Sequence, residues 1–172
     1  NGMADAVQNA QELLEAQVAH RSQALAWSEA RHLTLFNATA NAVMVMDADR
    51  MIDCNPAAIS LFGARDKEDL LLCKPSDLSP TFQKNGVSSG SLARDYIFLA
   101  RDHGQHSFEW IHRRLDNGDC FDAEVLLNRV ELDGQTVIQA SVRDISARKR
   151  VEDALHASEE RHRTLVEWSP EG

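Results

Sequence analysis

Residues 108–145 read FEWIHRRLDNGDCFDAEVLLNRVELDGQTVIQASVRDI, and this stretch decides the fold. Residues 108–115 are aromatic and β-branched, as a half-buried strand requires. Asp116-Asn117-Gly118 is a hairpin signal because Asn and Gly tolerate positive φ. Strand character resumes over 121–132, Asp133-Gly134 turns the chain again, and 136–142 supplies a third strand. Arg143-Asp144-Ile145-Ser146 then gives way to 147–166, which has helical composition without Gly or Pro. An antiparallel meander therefore hands its last strand directly to a long helix.

Working backwards, residues 90–103 are helical in period, with Leu92, Tyr96, Leu99 and Ala100 on one face, and Gly104 ends the helix. Residues 75–91, with Pro75, Pro80, Asn85-Gly86 and several serines, read as a loop. A short helix over 66–72 turns Leu70, Leu71 and Leu72 inward. Another opens at Asn55-Pro56, where Asn55 is a natural N-cap and Pro56 suits the first helical position, and it ends at Gly63. Residues 42–46 and 51–54 form two strands joined by a turn at Asp47-Ala48-Asp49-Arg50. Two strands, three helices and three strands assemble most economically as an α+β domain: a five-stranded antiparallel sheet with its helices on one face.

The N-terminal residues 3–35 hold no Gly or Pro and are rich in Ala, Leu, Glu and Gln, so a helix of about eight turns is expected. Val7, Leu14, Val18, Leu25 and Leu35 occupy heptad-like positions, interrupted by Gln11, Arg21, Ser28 and His32. A stripe of that kind suits a two-stranded coiled coil in which polar seam residues fix register at some cost in affinity; a helix folded back on its own domain is the other reading. The chain thus divides into an N-terminal coiled-coil helix over 1–35, a core over 36–146 and a C-terminal linker helix over 147–172. Residues 28–35 (SEARHLTL) recur at 158–165 (SEERHRTL) with six of eight positions identical. The second copy leads to the expectation of a further domain beyond this chain.

With 172 residues the chain can bury a real core, and its net charge of -9 opposes a nucleic-acid surface. Arg143, Arg148, Lys149 and Arg150 cluster, but Glu152 and Asp153 follow, as on a solvated helix start. Cys54, Cys73 and Cys120 have no metal-ligand spacing and form no disulfide framework, so reduced thiols and a cytoplasmic setting are expected. No apolar run reaches the roughly 18 residues of a membrane span, so no membrane contact is expected of this segment, and an anchor in a parent protein would lie elsewhere.

The strand and helix order, Asn55-Pro56-Ala57 at the first core helix, the Asp116-Asn117-Gly118 turn and the closing Asp144-Ile145-Ser146 together resemble a PAS domain over about 35–149. Leu78-Ser79-Pro80, Phe108-Glu109-Trp110 and His112-Arg113-Arg114 are similar to a branch found in multidomain bacterial sensors. The resemblance implies a module that senses, dimerises and relays without catalysing, with a histidine kinase or diguanylate cyclase as effector elsewhere.

The residues agree that catalysis is absent. Ser107 follows His106 but lacks an acid partner, Gly86, Gly90 and Gly104 have no phosphate-loop spacing, and Glu109 and Glu124 fit surface or ligand-facing roles better than acid–base chemistry. No cofactor is assigned. Haem would draw on His103 at the end of the third core helix, but a histidine before Gly104 more simply interacts with the helix dipole. Flavin photochemistry in this family uses Asn-Cys-Arg-Phe-Leu-Gln, whereas Cys73 sits in Leu72-Cys73-Lys74-Pro75 and suits a small buried hydrophobe. A cavity between sheet and helices, lined by Met44, Ile59, Phe62, Tyr96, Leu99, Trp110 and Leu127, would hold a small molecule; the same residues serve equally as solid core. His112 faces one side of its strand or the other. Asp144, Ile145 and Ser146 are the candidate relay, with Ser146 as N-cap and Asp144 bonding the first backbone N–H groups or pairing with Arg148. The function expected is a homodimeric sensory module; the alternative is a ligand-free structural dimerisation adaptor.

Overall fold

The computed structural model describes residues 2–47, 50–132 and 134–167, so the proposed turn residues Ala48, Asp49 and Asp133 lie outside the described residues. The elements in chain order are α1 (Gly2–Ala38), β1 (Ala42–Asp47), β2 (Arg50–Cys54), α2 (Pro56–Phe62), α3 (Lys67–Leu71), α4 (Ser89–His103), β3 (Gln105–Arg113), β4 (Cys120–Leu132), β5 (Gln135–Asp144) and α5 (Ser146–Glu167). Two compact units result, residues 1–39 and 40–172. The first is α1, which runs three residues beyond Leu35, and its Thr39 hydroxyl donates to the Leu35 carbonyl at 2.9 Å. Val7, Leu14, Val18, Leu25 and Leu35 are all exposed on it.

The second unit is built on one antiparallel sheet of order β2-β1-β5-β4-β3. Alternation along the strands puts Met44, Trp110, Val125, Leu127, Ala140 and Val142 into one continuous core, together with residues of α2, α3 and α4. β3 starts earlier than its apolar residues alone indicate, because Gln105, His106 and Ser107 pair with Asn128, Leu127 and Leu126 of β4. Its far end is pulled off the sheet: Leu115 donates its N–H to the Phe62 carbonyl at 2.7 Å. Gly118 takes φ 76° in the hairpin turn, as Asn-Gly requires.

α2 begins where Asn55 caps it. The Asn55 Oδ1 accepts from Ala58 N at 3.0 Å and Val43 N at 2.9 Å, and its Nδ2 donates to the Asn41 carbonyl at 3.0 Å. One buried side chain thereby starts α2 and ties it to β1. Gly63 ends α2 at φ 65°, and a Cβ there would collide with the Asp116 carboxylate, so this glycine also lets the helix end approach the β3–β4 turn. In α3 only Leu70 is fully buried; Leu72 is 86% exposed, because α3 stops at Leu71 and the chain turns away. The loop over 75–88 is anchored by Leu78, Ser79 and Gln83, all buried. Gln83 exchanges two bonds with the Ile111 backbone, accepting from its N–H at 2.8 Å and donating to its carbonyl at 3.1 Å, and so covers the free edge of β3.

Candidate functional site

Between the sheet and α4 lies a cavity of about 50 Å³, lined almost entirely by apolar groups including Met44, Met46, Met51, Leu78, Ile97 and Leu127. Two polar-bearing neighbours sit in its wall, Ser79 and His112, beside Trp110. The Trp110 indole N–H donates to the Ser79 hydroxyl at 2.9 Å, and that hydroxyl donates onward to the Pro75 carbonyl at 3.3 Å. Both groups are therefore committed to each other. His112 bonds the Leu78 carbonyl through Nδ1 at 2.9 Å, while its buried Nε2 meets no partner among the described residues. Burial holds the imidazole pKa down at about 4, against the smaller opposing pull of that carbonyl.

Of the seven residues proposed for the cavity, Met44, Trp110 and Leu127 line it, and Ile59, Phe62, Tyr96 and Leu99 do not. Phe62 stands behind the wall, its ring edge-on to His112 with centroids 5.0 Å apart. Tyr96 stacks on Phe108 at 4.3 Å and, with Trp110, lines a separate polar cleft that also includes Gln83, Lys84 and Glu109. The error on α4 is one of helical phase: Ala93 and Ile97 face the cavity, so Tyr96 falls on the flank and Leu99 is half-buried outside the core cluster. Ile59 packs against the core from α2 without reaching the cavity. His112 was legible in principle, since it lies two residues from Trp110 on the same strand and hence on the same face. Leu78 and Ser79 come from a loop that carries no periodic signal.

The cofactor candidates fare less well. His103 does not line the cavity; its side chain is 67% exposed at the end of α4, 3.6 Å from the Asp102 carboxylate. An apolar space of this size does not fit a haem macrocycle. Cys73 also lies off the cavity, half-buried, its thiol donating to the Asp69 carbonyl at 3.4 Å. Burial pushes its pKa up, which disfavours the reactive thiolate. His106 and Ser107 point to opposite faces of β3, so they form no nucleophile–base pair. Glu109 and Glu124 do stand directly opposite each other across β3 and β4. Glu109 is taken by Lys149 at 2.5 Å, and that ammonium holds its carboxyl below the usual range.

At the exit from the sheet the relay residues are arranged differently from expectation. Asp144 Oδ1 accepts from the Ser146 N–H at 2.9 Å, and Asp144 Oδ2 accepts from Arg114 at 3.2 Å, not from Arg148. Ser146 is no N-cap: it is the first residue of α5, and its hydroxyl accepts from Asp122 N at 3.2 Å, facing back to β4. Ile145 is buried and donates its N–H to the Asp122 carbonyl at 2.9 Å. Arg148 pairs with Glu109 and Glu152, while Lys149 reaches Glu109 and Asp122. These acids relieve the poor electrostatics of cations in a first helical turn. Arg114, absent from the expected set, is the hub. Its guanidinium donates to the Leu61 carbonyl at the end of α2, lies 4.6 Å over the Phe121 ring and holds Asp144.

Among the described residues no group of three or more His, Cys, Asp or Glu side chains could hold a metal ion, and no helix is long and apolar enough to cross a membrane. Sequence and structure comparisons agree on the kind of domain. Residues 30–96 match the family described as PAS domain. The PAS domain of an HTR-like protein from Haloarcula marismortui superposes with a TM-score of 0.62 at 23% identity, over 74% of this chain and 99% of that one. A PAS domain from a two-component sensor histidine kinase gives a TM-score of 0.55 at 19% identity, over 71% and 98%. A third, from a LuxR-family transcriptional regulator of Burkholderia thailandensis, gives 0.52 at 19%, over 66% and 96%. No curated protein matches the chain. Residues 30–96 thus match the PAS domain family, and the five antiparallel strands in this order under a helical layer are the fold of the PAS domains compared.

Proposed function

We propose that the chain is the sensory and dimerisation module of a cytoplasmic signal-transduction protein, passing the state of its core through the flanking helices to an effector outside these residues. The observation that carries this reading is the Arg114 hub. His112 in the cavity wall packs on Phe62 and Phe121, Arg114 covers Phe121 and holds the end of α2, and Asp144 joins Arg114 to the first turn of α5. A change in cavity occupancy would shift those rings and the angle at which α5 leaves the sheet. A histidine kinase or diguanylate cyclase is the natural effector, and the regulator domain from B. thailandensis, solved in complex with ethanol, is a case of this fold with a small molecule bound.

Dimerisation is assigned to the interrupted apolar stripe on α1, whose Val7, Leu14, Val18, Leu25 and Leu35 are all exposed in the single chain. Native mass spectrometry of the 172-residue chain tests both halves of the proposal. A dimer is expected, reverting to monomer when residues 1–35 are deleted; a full-length monomer at micromolar concentration would sink the assignment. The small size of the cavity favours a second reading, a ligand-free dimerisation adaptor, and the same spectrum separates the two by the presence or absence of added small-molecule mass.

A further inference from the structure

His112 sets the chemical class of what the cavity takes. It keeps 8% of its surface exposed, lines the cavity, and offers two nitrogens with different fates. The Leu78 oxygen is a carbonyl and can only accept, so Nδ1 must carry the ring proton. The same oxygen also accepts from Arg113 N at 2.8 Å, which fixes the β3 backbone and the imidazole against it together. A neutral ring with its proton on Nδ1 has a lone pair on Nε2. That lone pair is an acceptor with no donor among the described residues.

Among the described residues no other donor in the wall is free, since the Trp110 N–H goes to Ser79 and the Ser79 O–H goes to the Pro75 carbonyl, which leaves Ser79 only an acceptor lone pair. Among the described residues no cationic side chain lines the cavity, so a carboxylate or phosphate would face lone pairs and hydrocarbon. A metal ion would need further ligands, and no cluster provides them among the described residues. The volume of about 50 Å³ is below the roughly 150 Å³ that takes benzene. That leaves room for only a few heavy atoms.

We propose that the cavity binds a small, mostly apolar, uncharged molecule carrying one O–H or N–H donor, and that His112 Nε2 accepts that hydrogen bond and so selects alcohol-like over ketone-like or anionic molecules of the same shape. This rests on the reading of the cavity as a sensory site. It goes beyond that reading by naming the ligand's polarity, its charge and the atom that reads it.

The test uses three molecules of four heavy atoms and nearly the same outline: isopropanol, acetone and acetate. The 172-residue chain is titrated with each at neutral pH, and the histidine ring nitrogens are followed in long-range proton–nitrogen NMR spectra. In the unliganded protein the His112 proton is expected on Nδ1; a proton on Nε2 overturns the proposal. Isopropanol is expected to move the Nε2 resonance and to bind about tenfold tighter than acetone, the value of one hydrogen bond made or missed in a dry site. Acetate is expected to leave the resonance unmoved. In His112→Leu the ratio of isopropanol to acetone affinity falls to about one, and if that variant does not fold, the three probes on the wild-type chain still decide. Equal binding of isopropanol and acetone overturns donor selection while leaving a ligand cavity in place. Binding of none of the three, with water alone answering Nε2, removes the cavity as a site and the sensory reading with it.

Discussion

Asn55 and His112 are buried polar side chains of one domain, and they differ in how far their bonding is completed. Asn55 fills both acceptor positions of Oδ1 with backbone N–H groups and donates to a backbone carbonyl. His112 has one nitrogen fixed by the Leu78 carbonyl and the other left over. The first arrangement specifies a fold, because each bond has one geometry and its loss leaves a buried backbone group unpaired. The second stores capacity: a buried acceptor that the fold itself does not use is an energetic cost until something answers it.

The largest effect should come from breaking the completed side. Asn55→Ala removes the cap of α2 and strands the Val43 N–H and the Asn41 carbonyl, three losses that together cost about 4 kcal/mol. Urea denaturation of the variant is the measurement. A loss under about 1 kcal/mol would show that Asn55 is a surface-like cap whose partners are reached by water.

The incomplete side should show itself in pH. The folded-state pKa of His112 is depressed to about 4 from an ordinary 6.5, so the unfolded chain takes up a proton there before the folded one does. Its contribution to stability is complete above pH 6.5, declines as pH falls through the window from 6.5 to 4, and is flat below. The loss across that window is about 3 kcal/mol. Burial sets the shift, and no charged side chain contributes to it. Glu109, Asp122 and Asp69 also lose stabilisation in acid, because ion pairing depresses their pKa values, but only at the lower pH where carboxylates titrate. Comparing wild type with His112→Leu isolates the histidine. A difference in stability that does not change between pH 7 and 4.5 would mean that the ring is charged or hydrated in the native state.

This contrast also separates what the sequence discloses from what it conceals. Asn55 is readable because its role is local: an Asn-Pro pair before an apolar helix names the cap, and Gly63, Gly104 and Asn117-Gly118 name their turns in the same way. Only its bonds back to Asn41 and Val43, 14 and 12 residues earlier in the chain, are hidden. The significance of His112 is non-local from the start, since it depends on a carbonyl 34 residues away in a loop without pattern. Arg114 is concealed for the same reason: its partners at Leu61 and Asp144 lie 53 and 30 residues off. In α4, a helix with apolar residues on adjacent positions, sequence gives a face but not its phase, and Tyr96 took the place that belongs to Ile97.

Asp144 sharpens the comparison, because it has both carboxylate oxygens engaged, as Asn55 has its amide, yet it lies at the surface with 33% of its side chain exposed. If the number of bonds set the cost of removal, Asp144→Ala would approach Asn55→Ala. If burial sets it, water replaces the lost partners and the cost falls to about 1 kcal/mol, the value of a helix cap. We expect the second result in urea denaturation, with the core intact. The local consequence should be larger than the global one. Without Asp144 the Ser146 N–H loses its acceptor and Arg114 loses its hold on the start of α5, so amide hydrogen exchange at Ser146 and the residues after it should accelerate about tenfold, while exchange in β4 stays unchanged. Equal protection in the variant and the wild type would show that Ile145 and the Lys149 pairs to Glu109 and Asp122 fix α5 by themselves, and would remove Asp144 from the path between cavity and helix.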